Sequence, residues 1–342
     1  MKKITFIAPG NSIHSQRWIN FFNNQNYKLQ WISFHEFKES SHLINQIYLK
    51  NKFYNLLFNN LKVLTYVKIF KSDIVHIHSA SFYLFSSILL FFIKKRILIT
   101  PWGSDINYAK GLKKILLNFF LKKAHTITTD SYCFYDEFLK LNINTKLINF
   151  GIDTNFFKPN LCIEKNIIIC PRGFDEIYRP FTILNAINKI KFKIKNLNFV
   201  LLGNKDHHIK ISNYINDKQI HNIVSISGPL DQKAYLDLLN ESKGMISASI
   251  SDAGISSSIA EFMSCNKIII AANNSDNKYW IKDKVNGYLF ENDDIDELAE
   301  ILLHIDKNIE RIKFINRELI LKRNDYVNEM NKVKKIYSNN MI

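Results

Sequence analysis

The sequence predicts an α/β protein made of two doubly wound parallel-sheet domains, and three observations carry that prediction. Strand-length apolar runs alternate with helix-length segments along almost the whole chain. The alternation breaks over an irregular stretch, 150–165, that contains Gly151, Pro159 and Asn160, and then restarts. A chain of 342 residues is long enough for two separate cores.

Taken in order, Lys3–Ala8 reads as a strand that ends in the Pro9-Gly10 turn, and Ser15–Asn24 as the helix after it. Lys28–Phe34 is a second strand, and residues 39–71 are helical in parts. Asp73–His78, Arg96–Thr100, Ala124–Thr129 and Lys146–Asn149 read as strands, separated by helices at Phe82–Ile93, Gly111–Lys123 and Tyr132–Leu141. The second half reads as strands at Asn166–Cys170, Asn198–Leu202, Ile223–Ile226, Gly244–Ser249 and Lys267–Ala272, with a helix at Thr182–Ile194. An Asn286-Gly287 turn precedes Tyr288–Phe290, Asp294–Ile305 is helical, and a basic helical tail follows Ile309. The expected division is 1–158, 159–322 and a closing helix, 323–342, packing back on the first domain. Two such halves facing each other across a cleft is the implied architecture.

Composition narrows the function classes. The longest apolar run, Phe82–Ile93, has 12 residues and stops at Lys94-Lys95, which is too short to span a bilayer. The start, MKKITFIAPG, holds only a strand-length apolar run and is not expected to be a signal peptide. Cys133, Cys162, Cys170 and Cys265 have neither metal nor disulfide spacing, which suits a reducing cytoplasm. The net charge of +15 asks for an anionic partner: nucleic acid, an anionic membrane face or a phosphorylated substrate. Lysines dominate and are scattered, so no compact arginine stripe points to nucleic acid.

The most informative stretch is Ile250–Lys267, ISDAGISSSIAEFMSCNK. A strand end passes through Asp252-Ala253-Gly254 into a helix that opens on Ser256, Ser257 and Ser258. Ile259, Phe262 and Met263 turn one helical face inward. Small residues leave the helix N-terminus open to an anion, and Glu261 stands about one turn further in, where it can accept hydrogen bonds from paired hydroxyls. A phosphate seat beside a hydroxyl clamp is what a nucleotide or nucleotide-sugar needs.

With HSQRW (14–18), DIVHIH (73–78), TPWGSD (100–105), GIDTNFFKP (151–159), PRGFDEIYRP (171–180) and NGYLF (286–290) added, the chain resembles the GT-B glycosyltransferases, specifically the retaining family 4. The order and spacing of these motifs carry the resemblance over nearly the whole length. It implies a nucleotide-sugar donor in the second domain and a glycan or polyprenyl-linked acceptor in the first, with no metal or other cofactor. It matches Glu261 to the ribose contact, Arg172 to the basic residue at the donor diphosphate, and Gly10 to the turn that lets the donor approach. Arg179 is the candidate second cation. Two positions depart from the family: Ala253 stands where a sugar-reading acid is usual, with Asp252 one residue earlier, and Trp102 stands where a histidine is frequent. Asp105 is then the nearest ionisable group, reading either as a substrate contact or as a helix cap. His14 and Trp102 are placed on the acceptor side.

Other signals carry less. His76 and His78 share a strand face but lack the further ligands a metal site needs. Asp294-Ile295-Asp296 has the form of a metal-binding DxD, yet acids are ordinary at a helix start. Lys110, Lys113, Lys114, Lys122 and Lys123 flank apolar residues in one helix, reading either as a core-facing helix with a solvated face or as a contact with an anionic bilayer at the inner face of the cell membrane. The expected activity is retaining glycosyl transfer in cell-surface polysaccharide or lipopolysaccharide synthesis. A nucleotide-sugar 2-epimerase of the same fold and a degenerate nucleotide-sugar-binding protein are the rival readings.

Overall fold

The computed structural model describes residues 1–39, 41, 43–50, 55–194, 196–204, 208–274, 276–305 and 309–338. It forms two compact units, Met1–Phe150 with Met330–Ile342, and Gly151–Glu329. No helix among the described residues is long and apolar enough to cross a membrane.

The first unit holds β1 (Lys2–Ile7), β2 (Tyr27–Ser33), β3 (Asn45–Tyr48), β4 (Ile74–His78), β5 (Arg96–Thr100), β6 (Thr126–Thr129) and β7 (Thr145–Leu147). Their order is β3-β2-β1-β4-β5-β6-β7 and every pairing is parallel. Ile7, Ile32, Val75, Ile77, Ile99 and Ile127 form the central core, buried on a sheet covered by helices. Strand order reverses between β1 and β4, which opens a crevice at their carboxyl ends.

Two elements differ from the sequence reading. β3 lies within the 39–71 stretch, whose residues 40, 42 and 51–54 are outside the described set. Its four residues are too few to show a period. Phe82–Ile93 is not one buried helix. It divides into Phe82–Phe85 and a tight turn of helix at Ile88–Phe92, with Phe92 exposed. Buried Asn60 holds the break by donating to the Phe85 carbonyl at 2.9 Å and accepting from Leu89 N at 3.0 Å.

The second unit holds β8 (Ile167–Cys170), β9 (Asn198–Leu202), β10 (Val224–Ser227), β11 (Gly244–Ser247), β12 (Ile268–Ala272) and β13 (Tyr288–Phe290). The order is β10-β9-β8-β11-β12-β13, again parallel throughout, with the reversal between β8 and β11. The division between units falls at 150/151 rather than 158/159. Arg317 donates to the carbonyls of Thr154 and Phe157, both at 3.1 Å, and Thr154 Oγ1 donates to Asp325 at 2.6 Å, so the supposed linker is part of the second unit. The last helix, Tyr326–Ser338, passes into the first unit at Met330, and residues 339–342 of the closing segment lie outside the described set.

Gly244 is required by close approach. A Cβ there would lie 2.3 Å from the Ile268 carbonyl oxygen of the paired strand. Gly244→Ala is therefore expected to push β11 from β12 and to lower stability by about 1–3 kcal/mol. A urea or thermal melt reads it, and an unchanged midpoint would contradict the packing described.

Candidate functional site

In the second unit the chain leaves β8 at Pro171-Arg172-Gly173 and leaves β11 for the loop to the helix Ser257–Ser264. Because β8 and β11 are neighbours at the reversal, residues about eighty apart in sequence meet. Arg172 forms an ion pair with Asp252 through Nη2 and Oδ1, and its guanidinium carbon lies 4.8 Å from the centre of the Tyr178 ring. Arg172 Nε and Asp252 Oδ2 are buried without hydrogen-bond partners among the described residues. Burial pushes the Asp252 carboxyl above its ordinary range, against the opposing pull of Arg172.

A cavity of about 620 Å³ opens beside this pair, lined by Arg172, Gly173, Tyr235, Ser257, Ser258 and Glu261 among others. Ser256 caps the helix, its Oγ accepting from Ile259 N at 3.3 Å. The first N–H groups of a helix have no partner within it, and here they lie at the cavity with the positive end of the dipole. Tyr235 OH donates to Glu261 Oε2 at 3.0 Å. Burial, then the Glu261 carboxylate, raises the Tyr235 pKa, so it stays protonated and keeps donating. One wall thus offers a guanidinium and a helix start for an anion, and a carboxylate for hydroxyl donors.

Several predicted residues take other places. Arg179 does not join Arg172. It has left-handed backbone angles (φ 49°, ψ 50°), which turn it towards Asp293 at 3.5 Å in a separate hollow. Asp252 sits beneath Arg172 rather than on the cavity wall, and Ser256 lies behind the wall as the cap. Gly254, at φ 74°, serves the turn rather than lining the cavity. Tyr235 and Tyr178 escaped the sequence reading: Tyr235 belongs to no recognisable motif, and Tyr178, though inside the 171–180 motif, gains its role only from the packing of its ring against Arg172.

The first unit gathers a second set at the ends of β1, β4 and β5. His14 opens the helix Ile13–Asn23, and its ring centre lies 4.5 Å from that of Phe150 and 6.4 Å from that of Trp102. Burial, and then the nearby Arg17 charge, lower its pKa, so it is neutral near pH 7. His14 Nδ1 and Trp102 Nε1 are buried without hydrogen-bond partners among the described residues. Asp105 is the third residue of the short helix Gly103–Asn107, whose N-cap is Trp102. Its carboxylate accepts from Ala80 N at 2.6 Å, Trp102 N at 2.8 Å and Ser79 Oγ at 3.1 Å, which fixes the loops after β4 and β5. Gly10 is buried, and a Cβ would meet the His35 carbonyl and the Phe37 ring, both at 2.9 Å. The space its missing side chain leaves is filled by this unit's own chain.

His76 has both ring nitrogens engaged, with Tyr337 OH at 2.5 Å and Thr100 Oγ1 at 2.7 Å. No group of three or more metal-ligating side chains occurs among the described residues. Asp294 caps the helix Ile295–His304 by accepting from Glu297 N at 2.9 Å, and Asp296 pairs with Lys189.

Residues 151–317 match the family of glycosyl transferases group 1, and residues 3–131 match the glycosyl transferase 4-like family. Together the two matches mark the chain as a glycosyltransferase. This glycosyltransferase shares its fold with solved relatives over nearly their full length. HepE from Anabaena, in complex with UDP, aligns at a TM-score of 0.83 and 14% identity, covering 99% of this chain and 100% of that one. A glycosyltransferase from Rickettsia africae aligns at 0.79 and 17%, covering 98% and 97%. The lipopolysaccharide outer core galactosyltransferase WaaB aligns at 0.77 and 14%, covering 98% and 99%. No curated protein is significantly similar in sequence to the glycosyltransferase.

Proposed function

We propose that this glycosyltransferase moves a hexose from a UDP-sugar to a glycan or polyprenyl-linked acceptor, with retention of configuration and without a metal. The supporting observation is the convergence of Arg172, the Ser257–Ser264 helix start and Glu261 on one cavity. Arg172 and the helix N–H groups would take the diphosphate, whose charge grows as the glycosidic bond breaks. Glu261, oriented by Tyr235, would accept from the ribose hydroxyls. Gly228 also lines the cavity, and a Cβ there would meet nothing within 4 Å, which leaves room for the nucleotide. The Anabaena relative's complexes with UDP and with UDP-glucose favour uridine as the base.

The first unit would receive the acceptor near His14 and Trp102, and Asp105 would act by holding that loop. Retention without a protein nucleophile depends on stabilising an oxocarbenium-like state and a departing phosphate, which suits a site whose clearest feature is a cation, Arg172, held by Asp252 and the Tyr178 ring. Cell-surface polysaccharide or lipopolysaccharide synthesis on the cytoplasmic side of a membrane is the pathway this chemistry fits.

A thermal-shift panel of UDP-, GDP- and dTDP-sugars tests the reading. At a hundredfold excess over Kd a ligand adds about 2.7 kcal/mol, so a UDP-sugar is expected to raise the melting temperature by several degrees. Glu261→Ala is expected to weaken binding about 10- to 100-fold, the worth of hydrogen bonds to a charged group. The assignment fails if no nucleotide-sugar shifts the wild type or if the variant keeps the full shift.

A further inference from the structure

We propose that the hollow beside Arg179 in the second unit is a separate binding site for a sugar phosphate. It has a volume of about 520 Å³ and is built from the stretches that follow β8, β9 and β13, on the side of the sheet where parallel strands end and ligands are held. Arg179 has a left-handed backbone, φ 49°, although the residue before a proline is normally extended. Such a conformation persists only where its surroundings over-determine it, as at a ligand clamp. Here it places Arg179 on the wall of this hollow and off that of the donor cavity.

The bonds already made on this wall show which groups remain for a ligand. Asp293 is engaged: Thr182 Oγ1 donates to it at 2.9 Å, and Arg179 Nε meets it at 3.5 Å. That contact leaves both terminal nitrogens of the guanidinium uncommitted among the described residues, with the side chain 43% exposed. Lys210 lies 5.4 Å from the centre of the Phe181 ring and forms no ion pair among the described residues. Asn185 Oδ1 accepts from Tyr214 OH, and its amide N–H groups stay uncommitted among the described residues. Two cations and an amide can hold a phosphate. Glu176 also lines the hollow, is exposed and has no hydrogen-bond or ion-pair partner among the described residues. A bare phosphate would set like charge against it, whereas the hydroxyls of a sugar would donate to it. One small molecule carrying a phosphate and hydroxyls satisfies both sets. A nucleotide fits less well, because Lys210 covers the Phe181 ring, Tyr214 packs against that ring, and Phe174 is buried, so neither ring offers a free face to a base.

Phe174 and Asp175 line both this hollow and the donor cavity, so a test has to tell the two apart. Isothermal titration calorimetry of the full chain with glucose 6-phosphate, glucose and inorganic phosphate does so without any nucleotide-sugar, and its outcome does not depend on the donor reading. Glucose 6-phosphate is expected to bind at least about tenfold more tightly than either fragment, since it alone engages both sets of groups. Arg179→Gln is expected to weaken it about tenfold, through lost charge-assisted bonds to the phosphate. Lys210→Gln is expected to weaken it about two- to fivefold, because an exposed cation is screened by water. Both side chains are exposed, so neither substitution is expected to move the melting temperature. Arg172→Ala with Asp252→Ala, which alters the donor cavity, is expected to bind glucose 6-phosphate as the wild type does. The proposal is overturned if glucose 6-phosphate does not bind, or if inorganic phosphate binds as tightly, which would make this an adventitious anion site. It is also overturned if Arg179→Gln and Lys210→Gln both bind as the wild type does, or if the donor-cavity double variant loses the ligand.

Discussion

Arg172→Ala is expected to lower kcat by about 10²–10³-fold, the usual cost of removing one preorganised donor from a site where charge develops. Its guanidinium is held on two sides before any substrate arrives, by Asp252 and by the face of Tyr178. Little reorganisation is then needed as negative charge grows on the leaving diphosphate. The substitution also leaves the buried Asp252 carboxylate without its counter-ion, which destabilises the fold by a separate route. Arg172→Ala with Asp252→Ala separates the two effects, since melting temperature should recover while kcat stays low. Arg172→Lys should recover only part of the rate, because an ammonium cannot make paired contacts to a phosphate. Steady-state rates with a donor that binds in the thermal-shift panel read the result. If Arg172→Ala alone retains wild-type kcat, the diphosphate lies elsewhere.

Acidification from pH 7 to pH 5 is expected to destabilise the first unit, with His78 alone contributing about 2 kcal/mol. His78 is buried in the folded chain, and burial, then the nearby His14, hold its pKa down at about 3 against an unfolded value of 6.5. His76 is shifted in the same direction, by burial first and His78 second. Between those two values the unfolded chain binds the proton and the folded chain does not, so stability rises with pH across the window. It is complete above about pH 6.5 and is lost progressively as pH falls towards 3. Phe6 and Trp18 pack directly on these rings, with Trp18 to His78 at 5.1 Å between centres, so protonation puts charge into an aromatic core. Urea unfolding of wild type and His78→Asn at pH 7 and pH 5 isolates the effect as the difference between their pH dependences. Equal dependences would place His78 outside the linkage.

The sheets were legible because buried parallel strands are short apolar runs, and Ile74–His78 or Ile268–Ala272 stand out without any knowledge of their partners. The helix at 257–264 was legible for a similar local reason: serine at its start and apolar residues three and four apart are properties of one segment. Local pattern also identified Asp294 as a helix cap.

What local pattern could not supply is which strand ends lie side by side. Strand order sets Arg172 on Asp252, and side-chain packing sets Tyr235 on Glu261, so both pairs join distant segments that nothing in the intervening sequence links. Arg179 shows the same limit at short range. Seven residues after Arg172 it looked like a partner, yet a left-handed turn sends it to Asp293. Gly10 shows it through space, since the contact that excludes a side chain comes from His35 and Phe37 on another loop. Composition and periodicity were therefore enough for two doubly wound units and for a helix start and carboxylate able to meet an anion and hydroxyls. The wall those residues share came from the parallel sheet order, because the end of one strand meets the end of another only after the crossovers between them have folded.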